Sequence, residues 1–252
     1  MLKLYHYEPS ANSMKPMLCL NEKGIAFESH YVDLHSFEQH SAEFVAVNPN
    51  GQVPALAHDG QVITESTVIN EYLEDVFPAV RLRPENPVAR ARMRIWSKFV
   101  DEYFCPALSM LGWNLLVPGI VERLAKGEFD RLLERIPLRE QRDKWRTAAT
   151  HAFTEQQLAD SRRKVAVSIE RMEAILAHDR WLAGDEYSLA DVNSISMAAP
   201  VPYIVPEAMN EKNAPRSLDW LRRMNERPAV KATLAMARNP MPGRPRPTDA
   251  KK

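Results

Sequence analysis

The sequence predicts two unlike halves: an α+β N-terminal domain whose elements run βαβ-ββα, then an all-α helical bundle. Three observations predict this. Strand and helix signals alternate over residues 1–80, and strand signals largely vanish from residue 88 onward. A proline-punctuated stretch, residues 77–87, separates the two patterns. Within the first half, Val53-Pro54-Ala55-Leu56-Ala57-His58 and Gln61-Val62-Ile63-Thr64 flank Asp59-Gly60, which is a hairpin signal.

The elements follow in order. Leu2-Lys3-Leu4-Tyr5-His6-Tyr7 alternates as a strand does, and residues 14–23 read as a helix ended by Gly24. Residues 27–32 supply a second strand, so the β-α-β order implies parallel strands joined by a helical crossover. After the hairpin, a helix from Glu65 carries Val68, Ile69, Tyr72, Leu73 and Val76 on one face. The sum is a thioredoxin-like domain over residues 1–80. The second domain spans residues 88–238. From Val88 a long helix presents Trp96, Phe99, Val100, Tyr103 and Phe104, and Pro106 is expected to kink or end it. Residues 122–163 alternate in charge and read as exposed helices with a solvated face. Val165, Ile169, Met172 and Leu176 mark another amphipathic helix. Ser188 and Asp191 form a capping-box variant, with Tyr187 and Val192 as a staple, a structural feature that nucleates a core helix. Residues 239–252 hold four prolines and two terminal lysines, and a disordered tail is expected there.

Composition narrows the function. Of 252 residues, 33 are Lys or Arg and 33 are Asp or Glu. Nucleic acid or an acidic membrane surface would call for a basic excess, so neither is expected as a partner. No membrane-spanning segment is expected either, the apolar runs being read as shorter than the roughly 18–20 residues required. The strand-like start leaves no room for a signal peptide, which predicts a cytoplasmic protein. Cys19 and Cys105 are far apart and read as two buried thiols in a reducing compartment. The seven histidines lack metal-ligand spacing, His35 and His40 falling on different helical faces, and no metal is expected.

Two passages suggest a peptide site. A proline entering a paired strand lacks an N–H, and a cis Val53–Pro54 bond would reverse the chain there. The backbone N–H and C=O of Val53 would then face outward, free to pair with an extended peptide. At Thr64-Glu65-Ser66-Thr67 a helix begins. Ser66 and the free N–H groups favour a carboxylate, and Glu65 can meet an ammonium, so the pair suits an α-amino acid head. Simple helix capping accounts for the same residues. In the loop Glu8-Pro9-Ser10-Ala11-Asn12-Ser13, thioredoxin-type proteins would carry Cys-x-x-Cys. Its absence rules out disulfide exchange by protein thiols at that spot. Ser13 and Asn12 can each donate to a sulfur, or cap the helix before Pro16.

The blocks Gly51-Gln52-Val53-Pro54-Ala55-Leu56 and Glu65-Ser66, with the later Ser188-x-x-Asp191 box, resemble the cytosolic glutathione transferase superfamily from Leu2 to about Val230. Ala11-Asn12-Ser13-Met14-Lys15-Pro16, Phe37-Glu38-Gln39-His40-Ser41, Glu65-Ser66-Thr67-Val68-Ile69 and Val100-Asp101-Glu102-Tyr103-Phe104-Cys105 look like the bacterial glutathione-dependent β-etherases of lignin breakdown. The resemblance implies a glutathione transferase fold and glutathione consumed as co-substrate. It implies binding at Gln39, His40, Gln52, Val53, Pro54, Glu65 and Ser66, with Gln39 or His40 meeting the glycyl carboxylate; a solvent-facing role for each stays open. Ser13 or Asn12 would stabilise the thiolate, with Tyr5 and Tyr7 as rivals. The thiolate would displace a phenoxide from the carbon next to a ketone of a small aromatic ether, leaving a glutathione thioether. Tyr103, Phe104, Met110 and Trp113 are candidates for the aromatic pocket or for core. The family implies a dimer, with itself or a related subunit. Isomerisation of a maleyl-type acid and dehalogenation are alternatives, disfavoured because an acidic substrate calls for a fixed cation and the aromatic run offers none. A non-catalytic binding protein is the other.

Overall fold

The computed structural model describes residues 1–239. The expected tail therefore lies outside the described residues, apart from Asn239. Strand β1 (Leu2–His6) leads to helix α1 (Ala11–Lys23) and strand β2 (Glu28–Tyr31). A short 3-10 turn (Glu38–His40) and α2 (Ala42–Val47) precede the hairpin of β3 (Ala55–His58) and β4 (Gln61–Thr64), and α3 (Ser66–Val76) closes the first domain. The strands lie in the order β2-β1-β3-β4. β1 runs parallel to β2 and antiparallel to β3, with Leu4 opposite Leu56, and both side chains are fully buried.

Local chemistry explains the boundaries. Gly24 closes α1 at φ 64°, its N–H returning to the carbonyls of Leu20 and Asn21. Asp59 and Gly60 both take positive φ, as a two-residue primed turn requires. The buried face of α3 is narrower than its apolar pattern suggests. Ile69 and Leu73 are fully buried, but Val68 is 53% exposed and Val76 is exposed as well. α3 packs on α1 along one stripe, and residues flanking that stripe stay in solvent.

The second domain begins with α4 (Pro87–Phe99), whose cap is the Asn86 carboxamide oxygen accepting the N–H groups of Val88 and Ala89. Pro106 neither ends nor breaks the helix that follows. A π-helical turn (Val100–Phe104) joins α4 directly to α5 (Cys105–Val121). Widening the helix just before a proline relieves the clash with the preceding turn's carbonyls. The expectation about membrane spans also needs correction. Residues 104–121 carry no charged side chain, and the helix Pro87–Val121 is long and apolar enough to cross a membrane by length and composition. Here α5 packs against α7 (Arg139–Ala149) and α8 (Glu155–Leu176) as the central helix of the second domain.

The charged stretch between residues 122 and 163 is more than a solvated face. It forms α6 (Glu128–Glu134), α7 and the start of α8, and it encloses a second core of Leu132, Leu133, Ile136, Trp145 and Ala148 with Val117. Phe37 of the first domain is fully buried in this core, 4.5 Å from the Trp145 ring. Charge alternation hid apolar anchors spaced too irregularly to stand out.

α9 (Leu189–Ala198), α10 (Val201–Ile204), α11 (Pro215–Glu226) and α12 (Pro228–Ala235) complete the bundle. The Ser188–Asp191 capping box is present, and Asp191 also accepts from the Leu182 N–H at 3.1 Å and the Trp220 indole at 2.8 Å. α1 packs against α9 and α12, so the helix that starts beside the candidate site is held by both domains.

Candidate active site

The site lies where the loop after β1 meets the start of α1. Ser13 is buried, and its Oγ accepts the Tyr7 N–H at 3.1 Å, which leaves the hydroxyl proton available to a ligand. Neither Ser13 nor Asn12 caps α1. The N-cap is Ser10, and it makes no side-chain cap bond. Asn12 is half-buried, and Cys105 Sγ lies 3.7 Å from its Oδ1. Cys105, read from sequence as buried, therefore stands half-buried at the domain junction, and burial pushes its thiol pKa up.

The two tyrosines have other work. Tyr5 packs against His30 at 4.7 Å and Phe44 at 5.9 Å as a sheet-face residue. Tyr7 Oη lies 3.1 Å from His35 Nε2, and burial, helped by Glu8 and Asp33, pushes its pKa up to about 12.

Gln39 and His40 sit on the 3-10 turn, and each is 5% exposed. Gln39 Oε1 and both ring nitrogens of His40 have no hydrogen-bond partner. Burial lowers the His40 pKa to about 4, with Arg135 contributing, so the ring is neutral at physiological pH. Buried polar atoms without protein partners are costly, and a water, an ion or a ligand group would relieve them. The His40 ring lies over Gly51: a Cβ built there would stand 2.6 Å from Nδ1.

The Val53–Pro54 bond is cis, and Pro54 is buried. The loop leading to it is tied back by Asn48, whose Nδ2 donates to the Gln52 carbonyl at 2.6 Å. Glu65 holds φ 65° at the N-cap of α3 and makes no side-chain cap bond. That left-handed backbone costs about 1–3 kcal/mol in a non-glycine residue. The capping reading thus gains nothing here: Glu65 is exposed, and Ser66 is 8% exposed directly after it.

Sequence reasoning missed the group that holds these helix starts together. Lys15, wholly buried, donates to Asp101 Oδ1 at 2.6 Å, and Thr67 donates to Asp101 Oδ2 at 2.6 Å. One carboxylate of the π turn so bridges α1 and α3. Nothing in the local pattern around residue 101 announces a partner so distant in the chain.

Of the aromatic candidates, Phe104 is fully buried in core and cannot line a pocket. Tyr103 stacks on Phe99 at 5.1 Å with Lys164 and Arg171 of α8 within 6.0 Å of its ring, and Met110 Sδ accepts from Ser161 of α8 at 3.2 Å, so both turn toward α8. Trp113 packs on Trp145 at 4.9 Å and carries the Lys144 ammonium 4.3 Å from its ring. The aromatic run does therefore meet a cation, contrary to the sequence expectation. It comes from α7, a segment read as solvated.

Family models for the glutathione S-transferase N-terminal and C-terminal domains match residues 1–75 and 104–228. The chain belongs to the glutathione S-transferase family. Among its relatives, protein LigF of Sphingobium sp. is 45% identical over 236 residues, covering 91% of each chain. Glutathione S-transferase 3 of Zea mays is 30% identical over 243 residues, covering 96% of each. The crystal structure of the β-etherase LigF superposes with a TM-score of 0.89 at 44% identity, covering 92% of this chain and 98% of that one. The four-stranded sheet and the helical domain are thus those of a glutathione S-transferase.

Proposed function

We propose that this transferase uses glutathione to cleave β-aryl ether bonds of lignin-derived aromatics. Its thiolate displaces a phenoxide from the carbon beside a ketone and leaves a thioether. The observation that carries the reading is the pair of buried side chains with unpartnered atoms, Gln39 and His40, packed beside Gly51 two residues before Val53. A tripeptide with a carboxylate at each end suits these residues: the Gln39 Nε2 and one His40 ring N–H donate to the glycyl end, and Val53, next to Gln52 and Pro54, pairs with the middle. Glu65 and Ser66 meet the γ-glutamyl head. Likeness to a β-etherase over nearly the whole chain supports the substrate class.

The decisive assay incubates the protein with glutathione and each enantiomer of an α-keto β-aryl ether and measures released phenol. No release from either sinks the etherase reading, while retention on glutathione resin would still separate a binding protein from an empty scaffold.

Ser13 and Asn12 are the donors we assign to the sulfur anion. A free thiol with a pKa near 8.5 is only slightly ionised at neutral pH, so each lost donor matters. We expect Ser13→Ala and Asn12→Ala each to lower kcat about tenfold or more. The pKa of the bound thiol, read from thiolate absorbance, should rise with it. A loss below about threefold in both would remove them from the chemistry.

Apolar side chains exposed on α3 and α4, among them Val68, Val88 and Ile95, support a dimer. A cytoplasmic setting, where thiols stay reduced, agrees with the two free cysteines.

A further inference from the structure

We propose that Lys144 is a catalytic residue of this transferase, its ammonium receiving the aryl oxygen as the carbon–oxygen bond breaks. The proposal rests on the etherase reading above and adds a residue to it. Cys105, Ser109 and Trp113 fall four residues apart on α5, hence on one stripe of that helix. The Cys105 end of the stripe touches Asn12 at 3.7 Å. One turn along, Lys144 Nζ donates to Ser109 Oγ at 3.0 Å, and it lies 4.3 Å from the Trp113 ring. A helical turn rises about 5.4 Å. Lys144 so stands about one turn of α5 from the Asn12 end of the stripe.

Lys144 also lacks a counter-ion. No carboxylate among the described residues pairs with it, and its neighbour Asp143 is taken by Arg139 and Arg146. A half-buried ammonium between a hydroxyl and an indole face is left to be neutralised by an anion that arrives with the ligand or forms in the reaction. Burial pushes the Lys144 pKa down, which makes its ammonium a readier proton donor to a departing oxygen.

The step balances. Glutathione has already lost its thiol proton; its sulfur forms the new C–S bond, and the C–O pair leaves on the aryl oxygen. Lys144 Nζ gives that oxygen a proton and recovers one from water. One ether and one thiol become one thioether and one phenol.

The test varies the leaving group. α-Keto β-aryl ethers of 2-methoxyphenol, phenol and 4-nitrophenol are compared for wild type, Lys144→Met and Lys144→Arg. Lys144→Met should lose about 100-fold in kcat/KM with 2-methoxyphenol, within the range for general acids, and only a few-fold with 4-nitrophenol, which departs unaided. Lys144→Arg should recover part of the loss, and KM for glutathione should not move. An equal loss across the series, or none, overturns the proposal. A binding arm keeps the two readings apart. Bound 4-nitrophenol should ionise at lower pH on wild type than on Lys144→Met, as followed by nitrophenolate absorbance. If wild type cleaves no ether but shows that difference, the etherase reading fails and an aryl-oxyanion site stands. If the difference is missing, the site itself is refuted.

Discussion

Gly51→Ala is expected to raise the KM for glutathione at least tenfold. The reason is the ring beneath it. An alanine Cβ would stand 2.6 Å from His40 Nδ1, closer than nonbonded atoms approach, and a tight 3.1 Å from the Gln39 carbonyl oxygen. His40 cannot swing away cheaply. Its other side faces Phe37, at 6.1 Å between ring centroids, and Phe37 is locked against Trp145 in the second core. Either the ring leaves its place or the loop carrying Gly51 moves, and both undo the pair proposed to hold the glycyl carboxylate. Gly51 also takes φ 59°, so the substitution adds backbone strain, and a stability loss of about 1–3 kcal/mol should accompany the effect. Gly60→Ala is the control. It too has positive φ but meets nothing within 4 Å, so it should cost stability and leave KM alone. Were the two variants to share one KM, the carboxylate site would have to lie elsewhere.

Asp191→Ala should destabilise the fold by about 3 kcal/mol or more in denaturant unfolding. Its carboxylate, wholly buried, accepts from the backbone N–H of Leu182 and Ser188 and from the Trp220 indole. Truncation strands those donors in the core, each at about 1–3 kcal/mol, and leaves the α9 capping box with its Ser188 half alone. The same burial raises the Asp191 pKa to about 6, with the hydrogen bonds pulling the other way. An acid whose folded pKa lies above its unfolded value of about 3.9 favours the fold when protonated. Its contribution is complete below about pH 4 and is lost as pH rises through about 6, a swing on the order of 3 kcal/mol. Asp191→Asn, which cannot titrate, should lack that component. The stability difference between wild type and Asp191→Asn should therefore shift toward the variant between pH 4 and 7. A difference that stays flat with pH would mean that the hydrogen bonds, not desolvation, set the titration.

Much of this was legible because it is local. Gly24, Asp59-Gly60 and Ser188-x-x-Asp191 each solve a backbone problem within a few residues, and each stands where its chemistry requires. The cis bond at Val53–Pro54 belongs with them, since a proline without an N–H must either avoid or redirect a paired strand. Periodicity was a weaker guide. It put Val68 on one face with Ile69 and Leu73, yet Val68 is exposed, because spacing records which side chains share a side of a helix but not how wide a stripe the neighbours cover. It also gave no sign that the chain continues as a helix past Pro106, because a π turn leaves no mark in the pattern of apolar residues.

By itself, then, the sequence determined the order of the main elements, because turns, caps and strand alternation are decided by neighbours in the chain. Only tertiary structure decided which side chains lack partners and which meet across the domain junction. Lys15 and Thr67 share the Asp101 carboxylate though the three come from separate elements. Lys144 reaches Ser109 from a helix 35 positions away, and Phe37 leaves its own domain to fill another. Burial and charge pairing are sums over everything within a few ångströms, and sequence distance carries no information about that sum.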